Sequence, residues 1–359
     1  MGRVYEARHT RLERTVAIKL LRPEQAKDAG LVQRFFQEAR TVNRINHPHI
    51  VEISDFIEDT DDEGRPRAWC VMEFLEGETL TAMLARGPMP LERALRIADQ
   101  VCRALSAAHG VGVIHRDLKP DNIVITRGPD GRDFAKVLDF GVAKLMMPDP
   151  AIQAVETHEG VIVGTPRYMP PEQAAGLEVD PRADIYGVGC LLYEMFAGRP
   201  AFDGTSFAHL MARIITAPPP PLGPMTASGE PLAPELRTLV LQCLEKDPDL
   251  RPQSFDEVRA RLAFHSTRHP RRAVPRALVA SAGIGTLALA LVALRPAPPP
   301  EPGTNPPVPN PVVAQEPFVL PAEWVATAAT TEAPPPVGAL EERGMNASSP
   351  PATSAERPR

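Results

Sequence analysis

Residues 115–122 read HRDLKPDN, which places two carboxylates, a lysine, an arginine and an amide within eight positions. Around this stretch, further motifs stand in fixed order: VAIK at 16–19, DFG at 139–141, GTPRYMPPE at 164–172 and DIYGVG at 184–189. A DFG tripeptide alone would carry no weight, whereas the ordered and spaced set does. Thr15–Leu21 (TVAIKLL) is a strand-like run rich in β-branched residues. Phe35, Phe36, Ala39, Val42 and Ile45 fall at helical spacing, and residues 50–57 and 68–74 read as strands. The acidic, Gly-containing turn EDTDDEGRPR between those strands reads as a solvated hairpin tip. From residue 79 helices dominate, and Leu91, Leu95, Ala98, Val101, Leu105 and Ala108 mark one face of a long one. The expected class is α+β, with a small strand-rich part followed by a larger helical part.

Composition narrows the function. Of 359 residues, 43% are apolar and 23% charged, enough for a core, so fibrous and fully disordered readings are excluded. The net charge of −6 argues against a nucleic-acid-binding surface, and none is expected. Cys70, Cys102, Cys190 and Cys243 lie far apart with no C-x-x-C, which fits isolated thiols rather than a zinc site or disulfides. The first residues are charged from Arg3 onward and contain no signal peptide.

On these motifs, residues 1–265 resemble the eukaryotic-type protein kinases, and more narrowly the transmembrane Ser/Thr kinases of bacteria. The resemblance implies a two-lobed kinase fold, with a β-rich N-lobe over 1–73 and a helical C-lobe over 78–265. It implies ATP and Mg²⁺ (Mn²⁺ possible) as cofactors, protein substrates, and a role in signal transduction.

Phosphoryl transfer needs charge neutralisation and alignment more than covalent chemistry, and the resemblance distributes those tasks. Lys19 would neutralise the α- and β-phosphates, held by Glu38. Asp117 would accept the proton of the substrate hydroxyl, and Lys119 would face the γ-phosphate. Asn122 and Asp139 would hold Mg²⁺, an oxygen donor set suited to a hard cation. Met72 would guard the back of the nucleotide pocket, and the backbones of Glu73 and Leu75 would bond the adenine edge. Val4, Ala17 and Val124 would sandwich its faces, and Gly2 would contribute what remains of the phosphate-covering loop. His115 is expected beneath the site as a packing residue, and His47 and His49 are expected to be structural. Glu172 with Arg251 would form a buried ion pair, and Asp184 would brace the catalytic loop.

Arg116, beside Asp117, suggests control through the activation segment, because an Arg there can pair with a phosphorylated residue. Between Asp139 and Glu172 the hydroxyls are Thr157, Thr165 and Tyr168. Thr165 matches the residue that selects Ser/Thr substrates, which leaves Thr157 as the candidate autophosphorylation site. Two departures stand out. The Gly-rich loop is represented by its last part, Gly2-Arg3-Val4, with Met1 just before the third glycine position and most of the first strand missing. Either the true start lies upstream, or the kinase is shortened and binds ATP poorly, in which case a pseudokinase or scaffold is the alternative function. The second departure is Pro170, where the family usually has Ala or Ser.

Residues 277–294, ALVASAGIGTLALALVAL, carry no charge. At 1.5 Å per residue they span about 27 Å, close to a bilayer's hydrocarbon core. Arg268, Arg271, Arg272 and Arg276 precede them, a basic juxtamembrane linker over 266–276. By the positive-inside rule the expectation is one transmembrane helix in the inner membrane, kinase domain cytoplasmic. A buried core helix is the competing reading. Ser281 and Gly285 form a small-xxx-small pair, a hint of helix pairing and hence of a homodimer. Residues 295–359 contain 17 Pro and read as an extended or disordered extracytoplasmic tail.

Overall fold

The computed structural model describes residues 3–61, 63–140, 166–266 and 324–329. They fall into two compact units, one drawn from Met1–Val32, Ser54–Phe74 and Glu323–Arg359, the other from Gln33–Ile53 and Leu75–Ala322.

The first unit is built on an antiparallel sheet. Strands β1 (Arg3–His9) and β2 (Thr15–Leu20) are followed by a short helix α1 (Pro23–Ala26), with β3 (Ile53–Thr60) and β4 (Pro66–Glu73) further on. The order across the sheet is β3-β4-β2-β1, and beyond β1 lies β8 (Trp324–Ala329). Val16, Ile18, Trp69 and Val71 are buried, so the β-branched and aromatic residues that favour strands also make its core. At the β3–β4 turn Asp61 accepts from the amides of Glu63 and Arg65, and Arg67 pairs with Asp59 in bidentate fashion. The acidic turn is therefore a self-capped hairpin tip.

Helix α2 (Ala29–Ile45) leads into the second unit. There a small sheet, β5 (Gly77–Thr79), β6 (Ile123–Arg127) and β7 (Asp133–Val137), runs in the order β5-β6-β7. Around it stand α3 (Leu80–Ala85), the long α4 (Leu91–Gly110), α5 (Pro171–Ala174), α6 (Arg182–Ala197), α7 (Phe207–Thr216), α8 (Pro234–Cys243) and α9 (Phe255–Ser266). Helix α6 is buried nearly all round, as its uninterrupted apolar run requires. Gly189 sits where an added Cβ would fall 2.7 Å from the Cβ of Cys243, so a glycine there lets α6 approach α8 closely.

The N-lobe is expected over residues 1–73, and residues 33–53 of that range group with the second unit. The reason is a set of bonds to β7: the Val51 amide donates to the Val137 carbonyl, the Val137 amide to the His49 carbonyl, and His49 Nδ1 lies 2.9 Å from the Ala135 carbonyl. These bonds take residues 50–52 out of the expected strand, which begins at Ile53. The tail is expected to be extended or disordered, and residues 324–329 are extended as β8 against β1. An Ala/Val/Thr/Trp run free of Pro and charge is compatible with a strand once an unpaired edge is offered to it. Among the described residues no helix is long and apolar enough to cross a membrane. The segment 277–294, the basic linker beyond Ser266 and the rest of the tail lie outside them.

Candidate active site

The catalytic stretch is a loop followed by a single 3-10 turn, Pro120–Asn122. No ladder holds it, so side chains do. Asp184, 1% exposed at the start of α6, accepts from the amides of His115 (2.8 Å) and Arg116 (2.9 Å). Its Oδ2 also lies 2.8 Å from Nε2 of His109 at the end of α4. With these anchors Arg116 adopts a left-handed backbone, φ +64°, a conformation costly for a non-glycine residue. The chain reverses there, and Asp117 follows.

Asp117 gathers its neighbours. Lys119 Nζ donates to its Oδ2 at 3.1 Å, and Asn122 Nδ2 donates to its carbonyl at 2.8 Å. The Asp117 amide donates to Nδ1 of His115, and Nε2 of His115 lies 2.9 Å from the Leu138 carbonyl. An acceptor at Nδ1 and a carbonyl at Nε2 fit a neutral, Nε2-protonated ring. Fully buried and 4.7 Å from the Phe140 ring, His115 is the packing residue it was expected to be. The Leu138 amide in turn donates to the Asn122 carbonyl, which ties the residue before Asp139 to the loop. Asp139 is again left-handed, φ +47°. Asp117, Lys119 and Asn122 are thus brought together, with Asp139 one residue beyond the bond that joins the two segments.

Arg116 carries a further signature. Burial pulls its pKa below the usual guanidinium value, and the Asp184 carboxylate opposes that shift. Its Nε is buried without a hydrogen-bond partner among the described residues.

In the first unit the register places the nucleotide candidates. Lys19, 8% exposed on β2, stands opposite Val4 on β1 and Cys70 on β4, and Ala17 stands opposite Met72. Met72 is buried and Glu73 ends β4. In the second unit Leu75 follows β4 in the chain, Val124 lies on β6 opposite Thr79, and Glu38 lies on α2. Gly2, Thr157 and Thr165 lie outside the described residues.

Two supports behind the loop match expectation. Arg251, 3% exposed, donates bidentately to Glu172 at 2.8 and 2.7 Å, and also to the carbonyls of Glu245, Lys246 and Arg182. All five N–H donors are used, which is what a buried guanidinium requires. His49 is buried against Phe134, and burial lowers its pKa, as it does that of His47. Both read as structural.

Sequence reasoning passed over three contributors. His109 closes α4, and nothing in its spacing marks it as a partner of Asp184. The Leu138 carbonyl is invisible in a sequence. Tyr168 was noted only as a hydroxyl, yet it donates to Glu194 at 2.5 Å, and burial raises the pKa of both groups.

Comparison with known proteins agrees with this geometry. A family model described as the protein kinase domain matches residues 1–262. Serine/threonine-protein kinase pkn2 of Myxococcus xanthus is 42% identical over 263 residues, 73% of this chain and 31% of its own length. Serine/threonine-protein kinase PknA of Mycobacterium tuberculosis is 38% identical over 299 residues, 82% of this chain and 66% of its own. The crystal structure of the Mycobacterium tuberculosis PknI kinase domain superposes with a TM-score of 0.53 at 27% identity, covering 74% of this chain and 91% of that one. The chain thus spans about a third of the length of pkn2.

Proposed function

Because the chain belongs to the protein kinase family, we propose that it transfers the γ-phosphate of ATP to Ser and Thr hydroxyls of protein substrates. The observation that carries this reading is the Asp117–Lys119–Asn122 cluster on a loop held by Asp184. Asp117 accepts the proton of the incoming hydroxyl, and general-base assistance of this kind typically contributes about 10²–10⁴-fold. Lys119, 3.1 Å from that carboxylate, sits where it can steady the charge on a transferring phosphoryl group.

The residues present fit Mg²⁺. Asn122 spends its amide nitrogen on the Asp117 carbonyl, which leaves an amide oxygen as donor, and Asp139 adds a carboxylate. Hard cations take such oxygens. Bound there, the ion supplies charge neutralisation at the phosphates. Mn²⁺ suits the same donors. Lys19 would neutralise the α- and β-phosphates with Glu38 as its partner. Val4, Ala17, Met72, Glu73, Leu75 and Val124 would form the adenine site, and Gly2 would cover the phosphates. Thr165 would select Ser/Thr substrates and Thr157 would take the regulatory phosphate, to be met by Arg116.

The same proposal places the chain in a membrane through 277–294, with the arginines at 268, 271, 272 and 276 on the cytoplasmic side and homodimers formed along the small residues of the span. Flotation of the full chain with vesicles tests this part, and a chain that stays at the bottom of the gradient refutes it.

The kinase reading is tested by autophosphorylation of the full chain with radiolabelled ATP and Mg²⁺, beside Asp117→Asn and Asp139→Asn. Label in the parent alone is expected, with Thr157 the labelled position in a phosphopeptide map. A parent that binds ATP without incorporating label would point to a scaffold instead.

A further inference from the structure

From the end of α7 toward α8 the chain reads IITAPPPPLGPMTASG over residues 214–229, a stretch without a single charge. Its successive prolines at 218–221 fix their own φ near about −65°. Each residue that precedes a proline is also held to an extended ψ, and Ala217 stands at φ −82°, ψ 134°. The run therefore follows the left-handed polyproline II path, with about three residues per turn and a rise of about 3.1 Å per residue.

Exposure follows that period. Pro218, Pro221 and Pro224 are exposed, whereas Pro219 and Pro220 are half-buried and Leu222 is 7% exposed. One edge of the run, about 19 Å long, thus faces outward, and Leu222 pins the segment to the core. Both ends are tied as well. Lys246 donates to the Ile214 carbonyl at 2.6 Å, and the Leu232 amide donates to the Pro224 carbonyl at 2.8 Å. Between these ties the carbonyls of residues 218–223 accept no hydrogen bond among the described residues. Ile215 and Met225, 37% and 49% exposed, add large apolar side chains at the two ends. A connector between helices needs stiffness alone. It does not need one proline face turned outward, open carbonyls beside it and apolar side chains at both ends.

We propose that residues 215–225 are a docking ridge for a protein module whose groove is lined with aromatic side chains. Pro218-x-x-Pro221-x-x-Pro224 repeats the P-x-x-P spacing twice, and grooves of that kind read such spacing on a preformed polyproline II helix. Aromatic rings fit between the outward prolines, and their N–H or O–H groups can donate to the open carbonyls. The ridge is already ordered, so binding costs little conformational entropy. With no charge in the stretch, the contact should change little with salt. The ridge and Asp117 belong to the same compact unit, so a module seated there travels with the catalytic loop. None of the residues proposed for catalysis or nucleotide binding lies in it, and the inference does not rest on the phosphotransfer reading.

The test titrates fluorescently labelled SH3, WW and EVH1 domains with the full chain in detergent micelles. Saturable binding by at least one of them is expected, displaced by a free polyproline peptide. Combining Pro218→Ala, Pro221→Ala and Pro224→Ala should weaken that binding by about tenfold or more. Combining Pro219→Ala with Pro220→Ala, on the half-buried side, should weaken it by less than about threefold. Thermal midpoints of both variants should stay near the parent's, as should autophosphorylation. If the triple variant fails to fold, Pro221→Ala against Pro220→Ala makes the same comparison. Residues 295–359 contain further P-x-x-P runs, and every variant keeps them. Binding undiminished in the triple variant would place the contact there and overturn the proposal. Equal losses on the two faces, or no binding by any of the domains, would overturn it as well.

Discussion

The loop around Asp117 and the sheet around Lys19 hold their functional side chains by opposite means. The sheet uses register, with six successive residue pairs joining β1 to β2 and five joining β2 to β4. Losing one leaves the others to keep Lys19 in line. The loop has no ladder. Its shape depends on one buried carboxylate, Asp184, and on two left-handed residues, Arg116 and Asp139, each a strain of about 1–3 kcal/mol. The sheet is redundant, whereas the loop rests on a few individual bonds, two of its amides on Asp184 alone. Point substitutions far from the reacting atoms should therefore damage the loop more than the sheet.

The largest effect is chemical. Asp117→Asn should lower kcat by about 10²–10⁴-fold while leaving the thermal midpoint near the parent's, as measured by steady-state phosphorylation and calorimetry. Next comes the Glu172–Arg251 pair behind the loop. Arg251→Met strands a buried carboxylate, and equilibrium urea unfolding should show a loss of about 3–5 kcal/mol. Asp184→Ala removes the acceptor of two amides, at about 1–3 kcal/mol for each buried donor left unmet. It should also cut kcat although Asp184 touches no substrate. Ile18→Val, beside Lys19 in the sheet, should cost about 0.5–1.5 kcal/mol and leave kcat alone. If Asp184→Ala kept full kcat, or Ile18→Val lost it, the contrast between loop and sheet would collapse.

A further effect sharpens the contrast through pH. Lys246 is partly buried, donates to the Ile214 carbonyl and lies 3.9 Å from the centre of the Phe202 ring, and burial lowers its pKa to about 8. The unfolded chain, with an ordinary lysine near 10.5, then binds more protons between pH 8 and 10.5. Stability contributed by this site should rise with pH across that window. Unfolding of the parent compared with Lys246→Met should show the difference growing in the parent's favour from pH 8 upward, and a flat difference would contradict it.

The roles of Asp117, Lys119, Asn122 and Asp139 were read through the resemblance, and the first three lie within six positions of the sequence, so the structure brings them together locally. Glu172, Arg251 and Asp184 were legible only through resemblance, since the residues they meet lie far along the chain. His109 left no trace, because a histidine at a helix end is unremarkable until Asp184 arrives from another helix. Residues 33–53 group with the second unit, and bonds from His49 and Val51 to β7 tie the end of that stretch there, which no local pattern announces. Strand β8 was missed because a six-residue run in a Pro-rich tail has no pattern of its own. Only the edge it meets makes it a strand.

The buried cysteines have a practical consequence. Cys70 lies in the unit that carries Lys19, and Cys102, Cys190 and Cys243 lie in the unit that carries Asp117. Burial raises the pKa of the latter three, that of Cys243 to about 12. A thiol so placed reacts with a disulfide reagent only when its surroundings open. The rates at which the four positions become labelled therefore form a built-in clock for unfolding, with one hand in the first unit and three in the second.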